Sequence, residues 1–223
     1  IIEKAHKIGA WVLVDAAQSS PHTAIDVQKM DCDFLVFSGH KMYAPTGTGI
    51  LYGKEEILNA LPPFHGGGEM IKEVWMDHST YAGLPFKFEA GTPNIAGNIV
   101  LGTAIDFINS IGMEQIHQYE DELLSYATSK LSELDEVIIY AKDAPRSGAV
   151  SFNLSLSGVH PSDVGMILDK KGIAVRTGHH CAQPIMRHFG IKGTVRASFA
   201  VFNTKEEIDQ LIEGVKLSIR MLG

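Results

Sequence analysis

Two continuous apolar runs near the start of the chain constrain its fold more than any other feature. Residues 11–14 and 33–37 are each about the length of a strand, and neither alternates polar with apolar side chains. Strands that are apolar on both faces are typical of a largely parallel sheet covered by helices. The intervening residues 16–31 are long enough for the crossover that parallel strands require. We therefore predict an α/β fold.

The rest of the chain predicts further strands and a second, smaller unit. Helical spacing of apolar residues predicts helices over residues 94–111 and 116–134, separated near Gly112. Thr204 and Glu207 form a capping-box pattern that opens a final helix. Other patterns predict a strand at 50–52, a hairpin within 69–89, strands at 137–140, 150–154, 173–176 and 194–200, and a helix at 162–171. We predict two domains: residues 1–111 with a mostly parallel sheet, and 112–223 with a smaller α+β fold.

Composition narrows the function classes. The net charge of −7 and the absence of a long basic run argue against a nucleic-acid binder and favour a small-molecule substrate. No apolar run approaches the roughly 20 residues that span a bilayer, so we expect no membrane span. Two cysteines do not make a disulfide framework, which favours a reducing, cytoplasmic compartment. Residues 1–9 read as a helix ending at Gly9 without a preceding Met, so we expect the chain to begin inside a fold.

Functional side chains follow both apolar runs directly. Asp15 comes after the first run, and Lys41 closes the sequence Ser-Gly-His-Lys after the second. Open α/β sheets bind ligands beyond the carboxyl ends of their strands. A carboxylate that keeps a pyridine nitrogen protonated and an amine that reacts with an aldehyde are the two groups that pyridoxal phosphate (PLP) requires. Taken alone, Asp15 is more simply explained as a helix cap.

The motifs around these two residues resemble a known family. The sequences at 14–18 (Val-Asp-Ala-Ala-Gln) and 37–41 (Phe-Ser-Gly-His-Lys) resemble the PLP site of class V, fold-type I enzymes. The motifs at 88–94, 176–184 and 195–198 extend the resemblance to group II cysteine desulfurases of the SufS type and selenocysteine lyases. The matched motifs span nearly the whole chain in order. The resemblance implies that the chain is the C-terminal portion of such an enzyme.

The resemblance also implies a role for each matched residue. Lys41 is the lysine that binds PLP covalently. The residues implied to contact the cofactor are Asp15 at the pyridine nitrogen, Gln18 at the ring hydroxyl oxygen, Ser38 and His40 at the phosphate, and Gly91 and Thr92 at the phosphate of a neighbouring subunit. The last pair implies a homodimer with shared active sites.

The two cysteines have different sequence contexts. A lone cysteine is usually a small buried hydrophobe. Cys181, however, follows His179 and His180, which could supply protons or stabilise a thiolate, and the resemblance assigns it the persulfide. Cys32 lies between two aspartates whose charge disfavours a thiolate, so we expect a structural role.

Two arginines lie in or at the end of apolar segments, where an unpaired guanidinium is costly. We therefore expect a partner anion for Arg176 and Arg196. The resemblance implies that Arg196 binds the substrate carboxylate and that Arg176 assists. Adjacent His179, His180 and Cys181 are not spaced for one metal ion, so we predict no metal site.

Together these features predict an enzyme that converts L-cysteine to L-alanine and holds sulfur as a persulfide on Cys181. The resemblance implies a sulfur-acceptor protein, a place in iron-sulfur cluster assembly, and L-selenocysteine as an alternative substrate. Two other hypotheses stay open. One is a PLP aminotransferase or lyase of the same fold that does not use Cys181, and the other is an inactive fragment that lacks the N-terminal part of the site.

Overall fold

In the computed structural model, residues 1–146 and 148–223 are described, and they divide into two compact units, Ile1–Met113 and Glu114–Gly223. The division falls two residues beyond the predicted boundary. The strands are β1 (Leu13–Asp15), β2 (Phe34–Ser38), β3 (Gly49–Gly53), β4 (Ile71–Val74), β5 (Ser79–Tyr81), β6 (Val137–Ile139), β7 (Ala149–Leu154), β8 (Arg176–Gly178) and β9 (Thr194–Ser198). The helices are α1 (Ile2–His6), α2 (Val27–Met30), α3 (Glu55–Ala60), α4 (Ile95–Ile111), α5 (Met113–Ser132), α6 (Pro161–Asp169), α7 (Gln183–Phe189) and α8 (Lys205–Leu222).

The first unit is organised around a sheet in the order β1, β2, β3. β1 pairs in parallel with β2, with Asp15 opposite Val36. β3 pairs antiparallel with β2, because a short connection through Lys41 turns the chain back instead of crossing over a face of the sheet. The predicted α/β class is confirmed, but in this segment the sheet has one parallel and one antiparallel pair.

A buried carboxylate ties the start of β2 to the elements around it. The side chain of Asp33 is only 6% exposed and accepts a hydrogen bond from the backbone N–H of Val12 at 2.7 Å. It also pairs with His6 Nε2 of α1 at 2.8 Å and with Lys54 Nζ at 3.3 Å. Burial alone raises the pKa of Asp33, but these hydrogen bonds outweigh it and lower the pKa to about 2. This network fixes the starts of β1 and β2 relative to each other.

The second unit is a sheet covered on one face by helices. Its strand order is β6, β7, β9, β8, and all neighbouring pairs are antiparallel. Alternate residues of β7, including Val150 and Phe152, are fully buried against α5, α6 and α8. The opposite face carries the cross-strand pairs Ser151 with Arg196 and Arg176 with Arg196. The helical core therefore leaves one face of the sheet for polar function.

Several predicted elements require correction. Residues 87–89, predicted as part of the hairpin, lie at a 3₁₀ turn, Phe86–Phe88, and beyond it, and the hairpin is formed by β4 and β5. The strand predicted at 173–176 begins only at Arg176, because the pairing with β9 starts at Arg176 opposite Arg196 and residues 173–175 form no ladder. Helix α7 was not predicted, since its few residues mix polar and apolar side chains without a clear period. The capping box of α8 is confirmed.

No single helix of the described residues is long and apolar enough to cross a membrane. Only the consecutive helices α4 and α5, taken together, reach the required length and composition.

We predict that Asp33→Asn lowers the free energy of unfolding near neutral pH by about 1 to 3 kcal/mol, because a buried charge-assisted network loses its negative charge and one of its two acceptor oxygens. The folded-state pKa of about 2 lies below the roughly 3.9 of an unfolded aspartate, so this stabilisation is present above about pH 4 and is lost as the pH falls toward 2. Urea unfolding followed by circular dichroism at several pH values measures both effects. Asp106→Asn, on the exposed side of α4, is the control. An equal loss from that variant, or a difference from wild type that does not shrink in acid, would contradict the assignment.

Candidate active site

The residues predicted to hold a cofactor follow the two parallel strands. Asp15 is the last residue of β1 and Ser38 the last of β2. The 3₁₀ turn Gly39–Lys41 comes directly after β2 and carries His40 and Lys41. Because β1 and β2 are parallel, their carboxyl ends meet at one edge of the sheet. The fold thus brings the predicted carboxylate and amine to the same edge.

Asp15 supports the turn that follows β1. Its Oδ1 accepts the backbone N–H of Ala17 at 2.9 Å, which is an Asx turn and not the cap of a helix, since the next residues form turns. Asp15 and Gln18 are both exposed in the described chain. One carboxylate oxygen therefore fixes the turn, and the other can pair with a ligand.

The turn that carries Lys41 is held by close backbone packing. Gly39 donates its N–H to the carbonyl of Thr48 at 3.0 Å. A Cβ atom at position 39 would lie only 2.5 Å from Thr48 Oγ1, so the approach requires glycine. Ser38 Oγ and His40 Nδ1 are hydrogen-bonded at 2.8 Å, and Lys41 is half-buried. The lysine therefore stands on a rigid turn beside a hydroxyl and an imidazole.

The chemistry of these groups fits PLP. Lys41 offers an amine for the aldehyde, and Asp15 a carboxylate for the pyridine nitrogen. Ser38 and His40 form a pre-arranged pair of polar groups that suits a phosphate. Half-burial of Lys41 agrees with the partial desolvation that such a lysine needs.

The second predicted phosphate segment is joined to a glycine-rich loop. Gly91 donates its N–H to the carbonyl of Gly68 at 3.0 Å, and Thr92 is exposed. The sequence of residues 66–68 predicts a flexible loop near the site, but it does not predict the contact with Gly91, because the pairing of two turns so far apart leaves no local sequence signal. The contact fixes the backbone that presents Thr92.

The second unit carries Cys181 on a constrained loop. The thiol is exposed, and both His180 and Cys181 have positive backbone φ, at 52° and 61°. Two consecutive non-glycine residues in this region cost conformational energy and persist only where other contacts hold them. The loop also relies on Gly193, whose φ is 154° and where a Cβ would lie 2.8 Å from the backbone of Gly178. The chain therefore presents the sulfur in a fixed backbone conformation.

The ring of His180 anchors this loop. Its Nε2 lies 3.1 Å from the carbonyl oxygen of Thr194 and 2.9 Å from Thr194 Oγ1. Since a carbonyl only accepts, Nε2 carries the proton and donates. Burial is the main cause that lowers the pKa of His180, with a further contribution from neighbouring positive charges. His180 is therefore neutral near pH 7 and acts as a structural donor, whereas His179 is exposed.

Two guanidinium groups lie on the free face of the sheet. Arg176 and Arg196 are direct cross-strand partners, and neither has an ion pair within the part of the chain that is described. Burial, followed by the charge of Arg176, lowers the pKa of Arg196. Arg196 Nε is buried without a hydrogen-bond partner among the described residues and lines a cavity of about 390 Å³ with His180 and Phe189. The anionic partner expected from the sequence therefore stays a prediction for both arginines.

Arg176 also contacts the candidate nucleophile. Its Nη2 lies 3.7 Å from Cys181 Sγ. The other cysteine, Cys32, is completely buried, and burial raises the pKa of its thiol, with a small addition from Asp33. The expected structural role of Cys32 agrees with this, although burial and not the adjacent charge is the dominant cause. Within residues 1–146 and 148–223, no group of three or more His, Cys, Asp or Glu could hold a metal ion.

The predicted site residues therefore form two groups. The first unit carries Asp15, Gln18, Ser38, His40, Lys41, Gly91 and Thr92, and the second carries Arg176, Cys181 and Arg196. The sequence analysis missed the anchoring of His180 by Thr194, because a threonine at the start of a strand shows no sign of its partner. It also missed the contact between Arg176 and Cys181, which depends on the fold of the loop.

Comparisons with known proteins show what this chain is similar to. The family model described as aminotransferase class V matches residues 1–211. A probable cysteine desulfurase of Synechocystis is 53% identical over 100% of this chain and 53% of its own length, and a cysteine desulfurase of Pectobacterium carotovorum is 48% identical over 100% and 54%. The chain thus spans about half the length of these curated relatives. The crystal structure of the Escherichia coli cysteine desulfurase CsdA, as its S-sulfonic acid, matches with TM-score 0.93 and 41% identity over 100% of this chain and 55% of that chain. The cystine C-S lyase C-DES, in complex with cysteine persulfide, matches with TM-score 0.78 and 26% identity over 94% and 52%.

The two adjacent histidines offer a matched test of the loop anchor. We predict that His180→Ala raises the amide hydrogen-exchange rate of residues 179–182 by about five- to tenfold, because losing one partly buried hydrogen bond costs about 1 kcal/mol. His179→Ala, which removes an exposed ring, should leave these rates within about twofold of wild type. Exchange followed by mass spectrometry of the peptide containing Cys181 makes the measurement. Equal exchange in the two variants would show that the His180 contact does not hold the loop.

Proposed function

Because the chain belongs to the class V aminotransferase family, we propose that its protein is a PLP-dependent cysteine desulfurase. It converts L-cysteine to L-alanine and holds the removed sulfur as a persulfide on Cys181. The observation that carries this proposal is the exposed thiol of Cys181 on an anchored, strained loop beside a guanidinium. An aminotransferase of the same fold needs the lysine but has no use for such a thiol.

The first unit supplies the residues that hold and tune the cofactor. When bound, PLP acts as an electron sink for negative charge developing at the α-carbon of the substrate. Lys41 would hold it through Nζ, Asp15 would keep its ring nitrogen protonated, and Gln18 would contact its ring hydroxyl oxygen. Ser38 and His40 would contact the phosphate. Lys41 Nζ would also take the α-proton of the substrate.

The second unit supplies the groups that bind substrate and receive sulfur. The fork of Arg196 suits the cysteine carboxylate, and its buried, unpartnered Nε is satisfied by such an anion. The Cys181 thiolate attacks the substrate sulfur, so an S–S bond forms and the C–S bond breaks. The electron pair of the broken C–S bond stays on the β-carbon, and protonation of that carbon gives alanine. Cys181 is left as the persulfide.

Further proposals concern partners and location. An exposed thiol supports transfer of the persulfide sulfur to an acceptor protein, which fits a role in iron-sulfur cluster assembly. L-Selenocysteine is proposed as an alternative substrate, because the same steps break a C–Se bond. The resemblance of the segment around Gly91 and Thr92 to the family motif supports a homodimer in which each subunit contacts the phosphate of the other. The two free cysteines fit a reducing, cytoplasmic location.

One alternative has a specific observation in its favour. The likeness to a cystine C-S lyase supports a PLP lyase of the same fold. Such an enzyme would release sulfur on the product and would not require Cys181. The third hypothesis, an inactive fragment, predicts a chain that does not bind PLP.

The cofactor assignment is tested by spectroscopy. We predict that the protein, reconstituted with PLP, shows the visible absorbance band of covalently bound cofactor, and that Lys41→Ala lacks it because the only proposed attachment amine is gone. Borohydride reduction followed by peptide mapping should place the cofactor mass on Lys41. Lys29→Ala, which removes an exposed amine of α2, serves as the control and should keep the band. A wild-type protein without the band, or a band retained in Lys41→Ala, would refute the assignment.

The sulfur assignment is tested by comparing the two cysteines. We predict that Cys181→Ala binds PLP normally but loses at least about a hundredfold in alanine production from cysteine, because it removes the nucleophile. Cys32→Ala should keep activity, since Cys32 is a buried packing residue. Mass spectrometry after adding cysteine should find the extra sulfur on the peptide of Cys181. Full alanine production by Cys181→Ala would contradict the role of Cys181, whereas pyruvate and ammonia in place of alanine would favour the lyase.

A further inference from the structure

We propose that Arg176 stabilises the anionic sulfur of Cys181, so that the two arginines of the sheet divide their work: Arg196 serves the substrate carboxylate and Arg176 serves the thiolate. This inference rests on the proposed function for its biological meaning, since it concerns the sulfur that is to attack substrate. Its physical content, a guanidinium that raises the reactivity of one thiol, can be tested without substrate or turnover.

The geometry joins these two side chains specifically. Arg176 is the first residue of β8, and Cys181 lies beyond the end of that strand on the loop held by His180. The loop turns back far enough to bring Sγ within 3.7 Å of Arg176 Nη2, which is within hydrogen-bonding range for sulfur. The positive φ angles of His180 and Cys181 produce this reversal. The strained backbone conformation thus has a definite result, which is the contact between charge and sulfur.

The two neighbouring guanidinium groups on this sheet face favour two negative charges beside them. Arg176 and Arg196 are cross-strand neighbours, so each guanidinium disfavours the other. One substrate carboxylate can neutralise only one of them. A thiolate at Cys181 supplies the second negative charge beside Arg176, so that each guanidinium has one negatively charged partner. The Nε of Arg196 is buried without a hydrogen-bond partner among the described residues, which favours Arg196 as the ligand of the carboxylate. Arg176 can then pair with the sulfur.

The expected effect is moderate because Arg176 and Cys181 are exposed. Unit charges about 4 Å apart interact by roughly 1 kcal/mol in water, and more strongly near a protein surface. We therefore expect Arg176 to change the reactivity of the sulfur by about three- to tenfold, and the effect to weaken as salt is added.

Alkylation of Cys181 measures this effect directly. The thiolate attacks the carbon of iodoacetamide or iodoacetate, an S–C bond forms, and iodide leaves with the electron pair of the C–I bond. The protein is treated near neutral pH without substrate, and the rate is read from the modified Cys181 peptide by mass spectrometry. We compare Arg176→Gln and Arg176→Lys with Arg187→Gln, which removes the same charge from exposed α7. Buried Cys32 should stay unmodified and so reports whether each variant is folded.

The inference predicts that Arg176→Gln slows alkylation by about three- to tenfold, and more with anionic iodoacetate than with neutral iodoacetamide, because the guanidinium also attracts the reagent. Arg176→Lys should fall between Gln and wild type, and Arg187→Gln should match wild type within about twofold. An Arg176→Gln rate no lower than that of Arg187→Gln overturns the inference. If the reagent modifies Cys32 in Arg176→Gln, that variant is unfolded. Arg176→Lys is then compared instead, and its rate of Cys181 alkylation must lie below that of wild type. None of these outcomes depends on whether cysteine is converted to alanine.

Discussion

The parallel pairing of β1 with β2 is the constraint on which the first group of site residues depends. It sets Asp15 opposite Val36 and brings the ends of both strands to one edge, where a carboxylate and a lysine can act on one ligand. The pairing is secured at the opposite end by Asp33, which accepts from the Val12 backbone and binds His6 and Lys54. A one-residue slip would move every side chain to the other face of the sheet. The buried ion network around Asp33 and the sheet edge that carries Asp15 and Lys41 therefore lie at opposite ends of the same pair of strands.

The second unit presents the sulfur of Cys181 at its surface on a loop with a defined backbone conformation. Its helices cover only one face of the sheet, so the other face can carry Arg176 and Arg196. The loop with Cys181 has an unfavourable backbone conformation that the His180 ring compensates by binding Thr194. Neutral His180 suits this task, because a third positive charge beside two arginines would be costly.

The sequence predicts elements well where one local rule decides the outcome. The capping box of Thr204 and Glu207 and the apolar period of α4 each correspond to helices in the structure. It fails where tertiary context decides, as in the start of β8 at Arg176 and not at Ile173, and in the short helix α7. The site residues were identified by matching motifs, yet their contacts were not. Whether an imidazole anchors a loop or faces solvent depends on a threonine from another strand, and no local sequence pattern distinguishes His180 from the adjacent His179 in this respect.

The two cysteines show how the same fold makes one thiol inert and another available. Cys32 is packed between Ala16 and Leu35 in the first core, and burial raises the pKa of its thiol, so its anion is disfavoured. A thiolate in such a place would need a buried counter-charge, whose own desolvation is expensive. Cys181 is exposed to water, so its thiolate needs no buried counter-charge. An exposed guanidinium beside it needs to add only a modest stabilisation of the thiolate. Under the proposed function, an exposed sulfur would also stay accessible to an acceptor protein once Cys181 has become the persulfide. Reactivity and delivery therefore favour the same location, a rigid loop at the surface and not a closed pocket.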